Sequence, residues 1–225
     1  MKIGMLFAMR SEFSAMPGAD SFPLLETVAE MPVYEVAPDI LACIGGISKV
    51  NAAMATQILC LKYGVDLVLN SGVAGCTTDL PLNALVVASD LVQHDVDTSA
   101  AGDPPGLVST VNRISFPVWE PELCVELLAH AGFTATLGRV ATGDCFLSHA
   151  DQMRERICSA FDPVMVEMEG CAAAQVCLRN GVKFVALKSV SDHMSAEEYT
   201  DFGAALAAQG AAVLALAQAI QARNA

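Results

Sequence analysis

The run FVALKSVSDH, residues 184–193, is apolar on consecutive rather than alternate positions. A strand with one wet face alternates, so 184–190 reads as a strand buried on both faces, as in a sheet covered by helices above and below. VDLVLN at 65–70 has the same character. Working outward, strand-length apolar runs fall at 2–8, 33–36, 40–45, 66–70, 84–92, 136–141, 163–167 and 184–190. Helix-like stretches lie between and after them, at 48–63, 121–131, 150–160, 170–180 and 197–222. Strands alternating with helices imply crossover units. The expectation is an α/β protein: a three-layer α/β/α sandwich around a mixed, mostly parallel central sheet, in a single domain over 1–225.

Composition narrows the function classes. Of the 225 residues 54% are hydrophobic, enough for a core on several faces, and no Pro/Gly/Ser-rich linker divides the chain. Acidic residues outnumber basic ones 25 to 12. That balance argues against nucleic acid and against an anionic membrane surface. No uninterrupted apolar run reaches the length of a bilayer span, and the apolar start is too short for a secretory signal. The eight cysteines lie in apolar stretches without a C-x-x-C pair, which fits free thiols in a reducing cytoplasm. The four histidines form no ligand-spaced cluster with them, so no metal is expected.

Ligands of open α/β sheets bind at the carboxyl ends of strands, and five of those ends carry polar chemistry. They are AMRSEF (8–13), GGISKVNAA (45–53), NSGVAG (70–75), VEMEG (166–170) and SVSDH (189–193). Ser48 after two glycines is placed to cap a helix, and Gly72 and Gly75 bracket what reads as a turn. Glu167 and Glu169, two apart in an extended segment, face the same way. Burying such charge requires a compensating partner or ligand. Asp192 closes an apolar strand, where burial favours the proton-donating form of a carboxyl. It also fits the cap of a following helix, just as Glu12 fits an ordinary first-turn acid. Lys188, the lone base in its run, reads either as a surface residue or as the counter-charge of a carboxylate.

Taken in order, KIGMLFAMRSE, GGISKVNAA, NSGVAG, QHDVDTSAAG, TGDCFL, VEMEGCAAAQVC and KSVSD resemble the nucleoside phosphorylase and nucleosidase superfamily across nearly the whole chain. Within it they are most similar to the 5′-methylthioadenosine/S-adenosylhomocysteine nucleosidase family. The resemblance implies hydrolysis of the N-glycosidic bond of 5′-modified adenine nucleosides, with no cofactor and no metal. It casts Asp192 as the acid at N7 of the base and Glu12 as the base that activates water. Glu169, beside Met168, would hold the ribose diol. Phe146 and Leu147 would contact the adenine, and Met9, Ile47 and Phe202 would line the ribose and 5′-substituent. It further implies a homodimer in which HDVDT (94–98) approaches the neighbouring subunit's site.

Three positions depart from the family pattern. Val73 stands where a serine usually donates to the catalytic aspartate, a contact that Ser191 could replace. Lys188 replaces an arginine, and Ala101 an aromatic residue near the 5′-substituent. The hydrophobic Val73 also resembles futalosine hydrolase. Phosphorolysis is the rival chemistry, but no arginine accompanies the glycine motifs at 45–50 and 70–75, and Arg10 belongs to the motif carrying Glu12. A nucleoside-binding protein without catalysis is the remaining alternative, and retention of acid, base and diol ligand together weighs against it.

Overall fold

The computed structural model describes residues 1–147, 151–195 and 198–224. Four parallel strands form its centre: β1 (Ile3–Phe7), β4 (Ile40–Ile44), β5 (Leu67–Cys76) and β10 (Lys183–Asp192). The hairpin of β2 (Leu24–Val28) and β3 (Met31–Ala37) adds antiparallel beside β4. On the other side β6 (Leu85–Gln93) pairs antiparallel with β10 and with β7 (Ser115–Pro117). β8 (Ala135–Thr142) and β9 (Met165–Glu167) follow in parallel, and β9 then returns antiparallel to β5. The sheet is therefore mixed, as expected, and it curls until β5 touches both β9 and β10.

Helices cover both faces. α2 (Lys49–Tyr63) and α5 (Gly170–Asn180) pack on one core, through Ala55 and Leu59 of the first and Ala173 and Cys177 of the second. α1 (Arg10–Ser14), α3 (Pro121–His130) and α6 (Gly203–Arg223) pack on the other, through Phe13, Leu128, Val213 and Leu216. A smaller cluster seats α4 (Asp151–Phe161) by Ile157 and Phe161. α6 is long and apolar enough to cross a membrane, yet Ala205, Val213, Leu216 and Ile220 are buried inside the protein, as in a core helix.

Most expected elements appear within a residue or two, with informative exceptions. NSGVAG is not a turn: β5 runs on to Cys76 and carries it. The expected helix 197–222 is instead a 3₁₀ turn at Glu198–Asp201 followed by α6 from Gly203, with residue 197 outside the described residues. β2, β7 and α1 are elements that periodicity does not announce. β2, LLETV, leaves Leu24 and Leu25 exposed at the sheet edge, so its apolar pattern marks no buried face.

Candidate active site

The curl of the sheet leaves a gap, and the gap is the site. β5 pairs with β1 only as far as Asn70, and meets β9 again only at Gly75. Between these points one edge of β5 is unpaired, and its backbone groups need other partners. The Glu12 carboxylate supplies one: Val73 N–H donates to Oε1 at 3.1 Å, while Ala8 and Met9 N–H donate to Oε2 at 3.0 and 2.9 Å. Glycine at 72 is required for this approach, since a Cβ there would sit 2.3 Å from Glu12 Oε1. Glu12 is 3% exposed. Burial raises its pKa, partly offset by the nearby Lys188 and the three amides.

The cleft over this gap is walled by residues from the carboxyl ends of six strands. It brings together Met9 and Glu12 after β1, Ile47 after β4, Val73 on β5, Phe146 after β8, Met168 and Glu169 after β9, and Ser191 and Asp192 on β10. Two expected site residues stand slightly apart. Leu147 lines an adjoining smaller pocket with Phe146, Met168 and Asp192. Phe202 stands behind the wall, stacked at 4.6 Å on Tyr199. Tyr199 itself lines the cleft, edge-on to Phe146 at 4.9 Å. It lies in the short 3₁₀ turn Glu198–Asp201, where no periodic pattern could single it out.

Asp192 is 2% exposed. Ser191 Oγ donates to its Oδ2 at 2.6 Å and Ser195 N–H to its Oδ1 at 3.2 Å. Ser191 thus supplies the hydroxyl donor to Asp192; no helix starts at Asp192, so its bond from the Ser195 N–H closes a local bend and the helix-cap reading does not apply.

The two glutamates of VEMEG divide their tasks. Glu167 pairs with Lys188 Nζ at 2.9 Å, both side chains 2% exposed. It also accepts from Thr142 Oγ1, from Glu169 N–H at 3.1 Å and from Gly170 N–H at 2.8 Å. Burial opposes its charge, but Lys188 and these donors hold its carboxyl below the usual range. Among the described residues Glu169 accepts one hydrogen bond, from the Ser48 N–H at 2.9 Å. Burial, with repulsion from Glu167, pushes its pKa up to about 7. Lys188 is therefore paired with Glu167, and Glu169 faces the cleft. Ser48 caps α2 without a side-chain bond: at φ 93° and ψ 160° it occupies backbone space normally left to glycine, with its amide on Glu169. Such strain persists only where the surroundings enforce it.

Among the described residues no arginine or lysine side chain lines the cleft, while Glu12, Glu167, Glu169 and Asp192 all do. Arg10 points elsewhere, donating to Tyr34 Oη at 2.9 Å. The arrangement suits a ligand with hydroxyl donors and a centre that becomes positive; it repels an anion.

Residues 3–220 match the phosphorylase superfamily, and the chain belongs to it. Among its relatives is the 5′-methylthioadenosine/S-adenosylhomocysteine nucleosidase of Shewanella oneidensis, 33% identical over 93% of this chain and 92% of that one. The aminodeoxyfutalosine nucleosidase of Helicobacter pylori is 37% identical over 91% of each. The crystal structure of the Helicobacter pylori 5′-methylthioadenosine/S-adenosylhomocysteine nucleosidase with butyl-thio-DADMe-Immucillin-A superposes with a TM-score of 0.88. It is 30% identical and covers 99% of this chain and 98% of that one.

Proposed function

We propose that this protein is a nucleosidase that hydrolyses the N-glycosidic bond of 5′-methylthioadenosine, S-adenosylhomocysteine or related 5′-modified adenine nucleosides, releasing the base. The observation that carries the reading is the grouping of a buried Asp192, an amide-held Glu12 and a Glu169 facing the cleft, with no arginine or lysine among the described lining residues. Departure of the base leaves positive charge on the ribosyl ring, as in glycoside hydrolysis. Carboxylates fixed around the sugar stabilise that charge without reorganising. Asp192 passes a proton to the leaving base, and Glu12 takes one from the attacking water. Glu169 offers two acceptor oxygens to the vicinal ribose hydroxyls. Phe146 and Met168 bound the base, while Ile47 and Met9 flank the sugar.

Phosphorolysis is disfavoured by electrostatics, since a phosphate would meet Glu12, Glu167, Glu169 and Asp192 with no arginine or lysine among the described lining residues to receive it. A panel of adenine nucleosides, with and without phosphate, tests the reading. Adenine release is expected at the same rate in both, with free ribosyl product. Ribose 1-phosphate as product, or no turnover of any member, would overturn it. The panel must include a futalosine-type nucleoside, because the similarity to the Helicobacter pylori enzyme makes that substrate the second reading.

A homodimer and a cytoplasmic setting complete the proposal. Val50, Met54 and Leu61 fall on one face of α2 and are 66%, 43% and 73% exposed, a stripe of the kind buried between subunits. Sedimentation of the full chain at micromolar concentration is expected to give a dimer that Leu61→Glu shifts toward monomer; a wild-type monomer overturns this part. All eight cysteines are free, which fits a reducing compartment.

A further inference from the structure

The motif HDVDT leaves His94 and Asp95 without a part in the chemistry above, and both turn toward their own chain. Gly143–Leu147, the loop that carries Phe146, has little structure of its own. Gly143 N–H donates to the Glu167 carbonyl at 3.0 Å, and Cys145 and Phe146 are exposed. Its far end is packed, with Leu147 in a buried cluster and Phe146 against Tyr199, and its first residues are tied down from 94–95. His94 N–H donates to the Thr142 carbonyl at 3.0 Å. The buried His94 ring lies so close to Gly143 that a Cβ there would stand 2.3 Å from Cε1 and Nε2. Asp95 Oδ2 accepts the Asp144 N–H at 2.9 Å, and its Oδ1 accepts from Lys49 Nζ at 2.7 Å. Asp144 Oδ1 in turn accepts the Lys49 N–H at 2.8 Å. These bonds close a ring from β6 through the loop to the first residue of α2. The residue before it, Ser48, is the one whose amide holds Glu169.

We infer that Asp95 is a positioning residue, which with Lys49 and Asp144 sets the 143–147 loop, and so the base-side wall, in register with the turn that holds the ribose ligand Glu169. The nature of the ligand rests on the proposed nucleosidase reading; the ordering of the loop does not. Both ends of a nucleoside must be gripped at a fixed separation for the bond between them to be strained and broken. All three side chains are charged, so these hydrogen bonds belong to the stronger class.

The test uses Asp95→Asn and Asp95→Ala in the full chain, with two readouts. Asn keeps an acceptor for the Asp144 amide and loses the charge on Lys49, whereas Ala removes both. KM for the nucleoside is expected to rise about tenfold in the Ala variant and less in Asn, with kcat within about threefold, the loss of a charge-assisted bond read as binding. Cys145, the exposed thiol of the loop, reports order without any turnover. Its reaction with 5,5′-dithiobis(2-nitrobenzoate) in the ligand-free protein should quicken several-fold, again Ala beyond Asn beyond wild type, while the buried cysteines stay unreactive. Lys49→Met should behave like Asp95→Asn, and the double variant should add little, because both act through one ring. Labelling rates that do not change, or a fall in kcat with KM unmoved, overturn the inference. If wild-type protein turns over no nucleoside, the functional reading fails, and the labelling order still decides the role of Asp95.

Discussion

Asp192→Asn is expected to lower kcat about a thousandfold or more and to leave KM within a few-fold, because general-acid assistance contributes roughly 10² to 10⁴ and this acid faces the poorest leaving group in the reaction. A thousandfold corresponds to about 4 kcal/mol of transition-state stabilisation. The substitution isolates the proton. Asparagine has the same shape, its carbonyl can accept the Ser195 N–H that now reaches Oδ1, and its amide can donate to Ser191 Oγ, whose hydroxyl rotates to accept. What asparagine cannot do is carry a transferable proton to the base. A thermal unfolding midpoint close to wild type, with nucleoside still binding, would show that the site is intact. Turnover within tenfold of wild type would remove Asp192 from the role of acid and with it the mechanism. Binding of adenine nucleosides with no turnover by the wild-type protein, unchanged in Asp192→Asn, would point to a non-catalytic nucleoside sensor.

The legibility of this site in the sequence follows from what each residue type can signal by itself. Asp192, Glu12 and Glu169 are ionisable groups at the ends of apolar runs, where desolvation must be compensated, so they announce themselves. The parts that escaped are backbone chemistry and partner choice. Nothing in NSGVAG says that it remains a strand, because its unpaired edge is satisfied by a carboxylate 61 residues earlier in the chain. Nothing in GGISKV says that Ser48 works through its amide rather than its hydroxyl. Lys188 was legible as a counter-charge, but the choice between two glutamates two residues apart depends on where β9 ends and α5 begins. That junction turns Glu167 toward Lys188 and the α5 amides and leaves Glu169 to the cleft. The mixed sheet was readable from doubly buried runs, whereas its curl depends on β9, three residues long and paired on both sides.

Glu169→Gln is expected to cost about a hundredfold in kcat/KM and, at pH 8, to make the ligand-free protein more stable, by on the order of 2–3 kcal/mol. Both effects have one origin. The Glu169 carboxyl moves from an ordinary 4.5 to about 7 on folding, so between those values the folded chain holds a proton that the unfolded chain has lost. Stability from this group is fully present below pH 4.5 and is lost as pH rises through 7. At pH 8 the wild-type protein therefore carries an ionised, buried carboxylate with a single amide partner. Glutamine keeps an acceptor for the Ser48 N–H and removes the charge, so its advantage should appear at pH 8 and shrink toward zero by pH 5. In the complex the sign reverses: two ribose hydroxyls donate to the carboxylate, whereas an amide oxygen that already accepts the Ser48 N–H has one lone pair left and offers no negative charge to the developing cation. Urea unfolding at pH 5 and pH 8 measures the first effect, and steady-state kinetics at pH 8 the second. A variant no more stable than wild type at pH 8, or one retaining kcat/KM within threefold, would mean that Glu169 is satisfied by the protein itself. The ribose would then have to be held elsewhere.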